Sequence, residues 1–242
     1  MVITTYLNKI VQDDIGKFEG GVFSLLQISQ KKHLESILSK NEMVYYEKLF
    51  RNKRRQNEMC FGRLAAKELI SEMIDYRGSL DSIELRKQEE GGKPKLYIDN
   101  ERIALDVSIA HNDAYAVAAC SGNGMVGIDI EKYNVEVTQS FLKYAYSKEE
   151  IAYYNRCRTS HKNMWMLLWT IKEAIGKAFH TGLSLGIHFV KIYLDEKTEK
   201  LHLVFCEEER ICKLLSQKNI SLYYLENDEN YITICYIGEK KE

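Results

Sequence analysis

The sequence predicts an α+β protein made of two halves, each with helices packed on a small, mainly antiparallel sheet. Two observations support this. In both halves, strand-like segments precede and follow a helical region. Between them lies Ser121-Gly122-Asn123-Gly124, a small, polar, glycine-bearing segment. We therefore expect an N-terminal lobe over residues 1–122 and a C-terminal lobe over residues 123–242. The halves share no strong residue-level repeat, although Ala65-Ala66-Lys67-Glu68 and Thr170-Ile171-Lys172-Glu173 are similar.

The first half opens with two strand-like segments, Val2–Leu7 and Val22–Ile28. A helical region follows from about Lys31 to Tyr76, because apolar residues recur there at helical spacing, and Gly78 ends it. Four further strands are predicted in this half: Ile83–Arg86, Lys95–Ile98, Asp106–His111 and Ala114–Cys120.

The second half begins with a predicted strand, Met125–Glu131. Ser147 and Glu150 have the spacing of a capping box and open a short helix. Ser160 is expected to cap a long helix that runs to about Phe179. Four strands complete this half: Ile187–Leu194, Leu201–Cys206, Ser221–Glu226 and Tyr231–Tyr236.

Composition excludes several functional classes. The chain has 242 residues, of which 45% are hydrophobic and 29% charged, which is ordinary for a globular protein and too apolar for a disordered one. The net charge of −1 gives no overall attraction to nucleic acid or to an anionic membrane, so we expect neither as a partner. The N-terminus lacks the pattern of a signal peptide, and the six cysteines contain no C-x-x-C pair. We expect a cytoplasmic protein with reduced thiols and no zinc site.

The first chemically informative cluster is Gly127-Ile128-Asp129-Ile130-Glu131. Side chains alternate along a strand, so Asp129 and Glu131 point to the same face. Two carboxylates on one face repel each other unless a cation lies between them, and Mg²⁺ is the natural occupant of such a site. The alternative is a solvated strand end that happens to be acidic.

The second cluster runs from Trp169 to Lys177, where Glu173 and Lys177 share one helix face. An ordinary surface Glu–Lys pair would explain these two residues alone. The preceding segment Trp165–Trp169 is apolar nearly all round, which indicates a buried helix. Charges at Lys172, Glu173 and Lys177 then need partners, and a phosphate with a metal ion would supply them.

Three weaker signals accompany these clusters. His111 ends a predicted strand, Lys93 lies in the turn Gly91-Gly92-Lys93-Pro94, and a basic stretch extends from Lys48 to Arg63. Each has an ordinary structural interpretation as a core histidine, an exposed turn or a solvated helix face. Together with the acids they describe a metal-assisted phosphate site. A nucleotide hydrolase, a phosphoryl-group transferase and a non-catalytic nucleotide-binding module all remain open from spacing alone.

The order of the motifs resembles the Sfp-type 4′-phosphopantetheinyl transferases. The motifs are G-K-P, S-x-x-H, G-I-D-I-E, W-x-x-K-E-A-x-x-K and then Gly182-Leu183-Ser184-Leu185, and the resemblance as a whole spans about residues 45 to 190. This resemblance implies a pseudo-twofold arrangement of two similar lobes with the active site in the cleft between them. It also implies transfer of the phosphopantetheine arm of coenzyme A to a serine of an acyl- or peptidyl-carrier protein, with release of adenosine 3′,5′-bisphosphate.

The resemblance also implies roles for individual residues. Asp129, Glu131 and Glu173 match the family's metal-binding acids, which would hold Mg²⁺, with Mn²⁺ as an alternative. Glu173 matches the base toward the incoming serine, and Lys177 matches the lysine that neutralises the pyrophosphate. The residues that match coenzyme A contacts are Arg63, Lys93, His111, Lys172 and Lys177, with Lys48 and Arg51 more loosely aligned. Glu150 matches an acid near the cleft.

One position departs from the family pattern. The serine that usually precedes the histidine is Ala110 here, and Ser108 on the same strand face is a candidate substitute. The resemblance predicts a monomeric enzyme, a holo-carrier-protein synthase that serves secondary metabolism. Two alternatives are a metal-dependent hydrolase of the coenzyme A or nucleotide pyrophosphate, and a coenzyme A-binding module without catalysis.

Overall fold

The computed structural model describes most of the chain. The described residues are 1–10, 15–28, 34–49, 51–86, 93–157, 160–180, 186, 188–195, 197–198, 200–206 and 209–240. Gly91, Gly92 and the segment Gly182–Leu185, which the sequence analysis singled out, therefore lie outside the described residues.

In both halves, strands precede and follow the helices. Those of the first half are β1 (Val2–Lys9), β2 (Ile15–Phe18), β3 (Gly21–Gln27), α1 (Lys40–Lys48), α2 (Lys53–Met73), β4 (Ile83–Arg86), β5 (Lys95–Ile98), β6 (Glu101–Arg102), β7 (Asp106–His111) and β8 (Tyr115–Ser121). Those of the second half are β9 (Met125–Lys132), α3 (Gln139–Ala145), α4 (Lys148–Tyr154), α5 (Met164–Ala178), β10 (Val190–Asp195), β11 (Lys200–Phe205), α6 (Glu209–Gln217), β12 (Lys218–Asn227) and β13 (Asn230–Glu239).

The strands form three sheets, which confirms the α+β prediction. A six-stranded sheet has the order β10-β11-β1-β12-β13-β9, a four-stranded sheet has the order β2-β3-β8-β7, and β4, β5 and β6 form a small third sheet. Strand β1 pairs in parallel with β12, and the other pairs are antiparallel. No helix in the described part of the chain is long and apolar enough to cross a bilayer.

The N-terminal strand crosses the expected division between the lobes. The sequence predicts this strand but groups it with the first half. In the structure β1 lies between β11 and β12 of the second half. Local patterning shows that a segment is a strand but does not select its partner, because that choice depends on distant residues. The division at residue 122 stays a prediction for the rest of the chain.

Two helix boundaries differ from the sequence prediction. The helical region from Lys31 divides into α1 and α2, and Asn52 caps α2 by accepting a hydrogen bond from the Arg55 amide. Helix α5 begins at Met164, because Asn163, and not Ser160, accepts a hydrogen bond from the first turn. Asparagine is as good an N-cap as serine, so several polar residues before a helix compete for this position. The short helices α3 and α6 were not predicted.

The two halves repeat one packing arrangement. Helix α2 packs on β3 and β8, and α5 packs on β9 and β13. A shared apolar core joins the halves, with Phe23 and Val117 from the first and Ile128, Ile232 and Ile234 from the second. This agrees with the arrangement of two similar lobes that the family resemblance implies.

Each half also contains a fully buried lysine paired with a helix-capping glutamate. In the first half, Lys67 of α2 donates to Glu42 at 2.6 Å and to the Ile37 carbonyl at 2.7 Å. Glu42 completes a capping box with Ser39 and accepts the Leu85 amide of β4 at 3.1 Å. This single carboxylate therefore connects α1, α2 and β4.

The second half has the same device. Lys172 of α5 contacts Glu150 at 2.9 Å and donates to the Ala145 carbonyl at 3.0 Å. Glu150 completes a capping box with Ser147 and accepts the Ile192 amide of β10 at 2.9 Å. The similar segments around Lys67 and Lys172 thus occupy equivalent places in the two halves, which their short sequence similarity alone did not establish.

We expect Lys172→Met to lower the free energy of unfolding by about 3–5 kcal/mol, because the substitution leaves Glu150 buried and unpaired. Lys67→Met should have a smaller effect, because Glu42 keeps its ion pair with Arg63 at 3.0 Å. Urea unfolding monitored by circular dichroism measures both. The control is Lys143→Met, which changes an exposed lysine of α3. A loss below about 1 kcal/mol for Lys172→Met would contradict this role, since that is the range of a surface pair.

Candidate active site

The candidate site lies where the edges of the two larger sheets meet. Strand β7 is at the edge of the four-stranded sheet, and β9 is at the edge of the six-stranded sheet. Two side chains of β7 accept backbone amides of β9: Asp106 Oδ2 accepts Val126 N–H at 2.7 Å, and Ser108 Oγ accepts Ile128 N–H at 3.1 Å. These contacts satisfy an edge that would otherwise present unpaired amides.

Two lysines satisfy carbonyls along the same edge. Lys93 donates to the Val126 carbonyl and pairs with Asp106. Lys177 of α5 donates to the Ile128 carbonyl at 3.1 Å and to Asp129 Oδ1 at 2.7 Å. The edge of β9 is therefore held by side chains from both halves, and this positions the acidic residues that follow.

Ala110 occupies the position where the family pattern has a serine, and its methyl group cannot accept a hydrogen bond. One backbone amide of the β9 edge therefore has no side-chain acceptor from β7. Amides at alternate residues of a strand point the same way, so Ile130 N–H faces the same edge as those of Val126 and Ile128. Ala110 has no acceptor to offer it. Ser108 is buried and already accepts the Ile128 amide, so it does not replace a serine at position 110.

Gly127 explains how helix α5 reaches the strand. A Cβ at this position would lie 1.9 Å from the carbonyl oxygen of Ala174 and 2.5 Å from the Ala178 amide nitrogen. The absence of a side chain therefore lets α5 pack directly against β9. This close approach brings Glu173 and Lys177 to Asp129.

The three predicted acids are found at this contact of β9 with α5. Asp129 is buried, and its Oδ2 atom has no hydrogen-bond partner among the described residues. The same holds for Glu173 Oε1, which is also buried. Glu131 accepts a hydrogen bond from Trp169 Nε1 at 3.1 Å. Buried carboxylate oxygens without a partner are costly, so these atoms are suited to accept a cation or a substrate hydroxyl.

Electrostatics couples the three carboxylates. Burial, reinforced by the charge of Asp129, raises the pKa of Glu131 to about 7. The same two causes raise the pKa of Glu173 to about 7. Lys177 opposes both increases but does not cancel them. The site therefore carries more negative charge than its own cation neutralises.

The chemistry of these donors fits a hard divalent cation such as Mg²⁺, which prefers carboxylate oxygens. The side chains do not close into a cage, because no group of three or more His, Cys, Asp or Glu side chains is positioned to hold a metal within the described ranges. Mg²⁺ commonly takes one or two carboxylates and completes its shell with water and substrate phosphates. Asp129 and Glu173, with their unpartnered oxygens, are the best suited ligands.

His111 of β7 lies near this site in the first half. Desolvation lowers its pKa, and its charged neighbours are Glu58, Lys177, Arg54 and Asp129. Arg54 and Glu58 are paired at 2.7 Å near the start of α2. Arg54 belongs to the basic stretch between Lys48 and Arg63, and nothing in the local sequence pattern indicates that it lies near His111.

Lys172 does not belong to the site, which corrects its predicted contact with coenzyme A. Its side chain is fully buried and is satisfied by Glu150 and the Ala145 carbonyl. Glu150 is likewise fully buried, so its role is to cap α4 and pair Lys172. The sequence correctly indicated that the charges of this buried helix need partners, but for Lys172 the partner is internal.

The other predicted cations lie elsewhere in the structure. Arg63 pairs with Glu42 at 3.0 Å and lines a cavity of about 270 Å³ between α1, α2 and β4. It therefore does not lie with the acidic residues at the contact of β9 with α5. Lys93 is buried at the start of β9 and lines a second cavity of about 290 Å³. Lys48 and Arg51 are exposed at the connection between α1 and α2, and their contact with coenzyme A stays a prediction.

Sequence reasoning missed His180, which lies at the end of α5. Its Nε2 atom is 3.1 Å from Asp106 Oδ1, so it extends the Lys93–Asp106 pair at the start of β9. Its φ of +61° is in the left-handed region, where glycine is favoured after a helix. That position after the helix was the available signal, but it does not by itself reveal a partner on β7.

Comparison with known proteins indicates the family of this chain. A family model described as "4'-phosphopantetheinyl transferase superfamily" matches residues 125–235, which include the three acids and Lys177. A holo-[acyl-carrier-protein] synthase of Bacillus subtilis is 37% identical over 94 residues, or 37% of this chain and 75% of the relative. A 4'-phosphopantetheinyl transferase, gsp, of Aneurinibacillus migulanus is 31% identical over 107 residues, covering 43% of this chain and 41% of the relative.

Among solved structures, a holo-(acyl-carrier-protein) synthase from Bacillus anthracis in complex with CoA (3',5'-ADP) is 30% identical. The match covers 42% of this chain and 92% of that chain, with a TM-score of 0.36. From the sequence matches, the chain belongs to the 4'-phosphopantetheinyl transferase superfamily.

Without divalent cations, we expect the free energy of unfolding to fall as the pH rises from about 5 to about 8. The folded-state pKa values of Glu131 and Glu173, about 7, lie above their ordinary value of 4.5. Between these pH values the folded chain keeps protons on Glu131 and Glu173 that the unfolded chain has already released. The stabilisation that these protons give is complete below pH 4.5 and is lost as the pH rises through 7. Thermal melts in chelator should show a smaller pH dependence for Glu173→Gln than for the wild type. Equal pH dependence in the two proteins would contradict the raised pKa of Glu173.

Proposed function

We propose that this protein transfers the 4′-phosphopantetheine arm of coenzyme A to a serine of an acyl- or peptidyl-carrier protein. The observation that carries the proposal is the placement of Asp129, Glu131, Glu173 and Lys177 at one contact of β9 with α5, with two buried carboxylate oxygens unpartnered. These residues lie within the segment that matches the superfamily. Mg²⁺ bound there would neutralise charge on the pyrophosphate of coenzyme A.

The reaction breaks one phosphoanhydride bond and forms one phosphoester bond. The carrier serine Oγ attacks the phosphorus that bears the pantetheine arm, and adenosine 3′,5′-bisphosphate leaves with the bridging oxygen. Such transfers depend on positioning and charge neutralisation more than on a protein nucleophile. This accounts for a site built from acids and a lysine.

Glu173 is the proposed acceptor of the serine proton. Burial and the neighbouring Asp129 raise its pKa to about 7, which makes its carboxylate a stronger base than an ordinary glutamate. A bound cation would offset part of this increase. The Oε1 atom of Glu173 has no hydrogen-bond partner among the described residues and is thus available to a substrate hydroxyl or a cation.

Lys177 is the proposed source of fixed positive charge. Its side chain is 26% exposed, so its ammonium group remains accessible while it contacts Asp129 and the Ile128 carbonyl. Negative charge grows on the bridging oxygen as the leaving group departs, and a preorganised ammonium stabilises it. His111, which has Lys177 and Asp129 among its charged neighbours, is the proposed contact for a phosphate of coenzyme A.

The surface beside Glu131 is the proposed docking site for the carrier. Helix α3 presents Tyr144, which is 55% exposed, and the exposed Lys143. Carrier proteins of this family present an acidic, helical surface, so a basic and aromatic patch is complementary to them.

The direct experiment incubates the protein with coenzyme A, Mg²⁺ and a panel of apo-carriers and measures intact masses. We expect a carrier to gain the mass of one phosphopantetheine arm. Coenzyme A cleavage without a carrier would instead support a hydrolase. Coenzyme A binding with no mass gain on any carrier would support a binding module. Either result would contradict the proposed transfer.

Transfer should require a divalent cation. We expect chelation to abolish the mass gain and Mg²⁺ or Mn²⁺ to restore it. Asp129→Asn should reduce turnover by about two orders of magnitude or more, because it removes a charged ligand oxygen. The fold should persist, since losing this charge also relieves repulsion with Glu131 and Glu173. A thermal melt separates the two effects, and full activity after exhaustive chelation would contradict the metal site.

Glu173 and Lys177 distinguish a transferase from a binding protein. Glu173→Gln should lower turnover at least about a hundredfold, as expected for loss of a general base. Lys177→Ala should cost about a hundredfold through lost charge stabilisation. Coenzyme A binding, measured by calorimetry, should persist in both variants.

The matched control is Glu68→Gln, because Glu68 follows Lys67 as Glu173 follows the equivalent Lys172 but lies in the half without this acidic cluster. Its turnover should stay within about twofold of the wild type, as for an exposed surface charge. Near-normal turnover of Glu173→Gln and Lys177→Ala would contradict the catalytic assignment of α5.

A further inference from the structure

The hydrogen bond between Trp169 and Glu131 has no role in the reaction proposed above. Trp169 Nε1 of α5 donates to Glu131 Oε1 of β9 at 3.1 Å. It is the only hydrogen bond to the Glu131 side chain found within the described residues. The carboxylate is thus held through one of its two oxygens, Oε1.

Aromatic packing fixes the indole that makes this bond. The ring of Phe141 packs edge-on against Trp169, with centroids 5.2 Å apart, and the ring of Tyr144 lies 6.2 Å away. Both belong to α3, so the indole is held between α3 and the helix that carries it. Rotation of the Trp169 side chain would lose these contacts together with the hydrogen bond to Glu131.

A neutral donor suits this position because of the surrounding charge. Glu131 is repelled by Asp129 and Glu173, so an unrestrained carboxylate would move toward solvent. A lysine or arginine would hold it but would also cancel the negative charge that attracts a cation. The indole N–H orients the carboxylate and leaves its full charge in place.

We propose that Trp169 is a positioning residue that holds the Glu131 carboxylate toward the cation site formed with Asp129 and Glu173. This inference rests on the proposed function, because it requires a cation at these acids. It adds a residue outside the ligand set, and a role for the α3 aromatic residues in keeping that set in place. Partners of this kind typically change metal affinity by about 10- to 100-fold.

The test measures Mn²⁺ binding to the full chain by electron paramagnetic resonance, with coenzyme A present. Trp169→Phe keeps an aromatic ring but removes the donor, so its Mn²⁺ dissociation constant should rise about 10- to 100-fold. The matched control is Trp165→Phe, because Trp165 lies on the same helix and packs on Tyr146 and Tyr154, away from Glu131. Its dissociation constant should stay within about twofold, the change typical of a substitution outside the site.

A double-mutant cycle tests whether Trp169 acts through Glu131. In the Glu131→Gln background, adding Trp169→Phe should cause little further loss of Mn²⁺ affinity, because the oriented charge is already gone. A merely structural role predicts that the two losses add. Additive losses would therefore overturn the proposal even if Trp169→Phe binds Mn²⁺ weakly.

A third measurement follows the quenching of tryptophan fluorescence by Mn²⁺. In Trp165→Phe the remaining tryptophan emission comes from Trp169, and bound Mn²⁺ should quench it while Mg²⁺ should not. In Trp169→Phe the emission of Trp165 should be quenched less. Unquenched Trp169 emission, or equal Mn²⁺ affinity in Trp169→Phe and the wild type, would overturn the positioning role alone. Failure of the wild type to bind Mn²⁺ would overturn the cation site and this inference with it.

Discussion

The edge of β9 is the structural constraint on which the rest of the site depends. A sheet edge must have partners for its amides and carbonyls, and here Asp106, Ser108, Lys93 and Lys177 supply them from both halves of the chain. These side-chain contacts with the β9 backbone hold β9 beside β7 and α5. Asp129 is buried there because the same contacts that satisfy the backbone exclude water from its carboxylate.

A buried lysine–glutamate pair is present in both halves, but only in the second half does it lie beside the acidic cluster. In both, the lysine of the long helix pairs with the glutamate of a capping box and ties it to a neighbouring strand. In the second half the next residue, Glu173, faces Asp129 across the close contact that Gly127 permits. Both halves thus contain the buried lysine–glutamate pair, but only the second half carries the acidic cluster. That cluster lies at the sheet edge that faces the first half.

Local periodicity explains what the sequence could predict. Strand alternation placed Asp129 and Glu131 on one face, and helical spacing placed Glu173 and Lys177 together, because both relations lie within a few residues. The partners of Lys172, Arg63 and Lys93 are 22, 21 and 13 residues away. Choosing among such partners requires the folded arrangement, so these charges were assigned to a ligand. The placement of β1 and the neighbours of His111 escaped prediction for the same reason.

The unpartnered carboxylate oxygens of Asp129 and Glu173 are the proposed ligands of the cation that neutralises the charge of coenzyme A. The most direct measurement is anomalous diffraction from crystals of the protein with Mn²⁺ and coenzyme A. We expect one Mn²⁺ peak bonded to carboxylate oxygens of Asp129 and Glu173, with the pyrophosphate on the same ion. A peak elsewhere, such as in the cavity beside Lys93, or a bound pyrophosphate without Mn²⁺ at these acids, would contradict it.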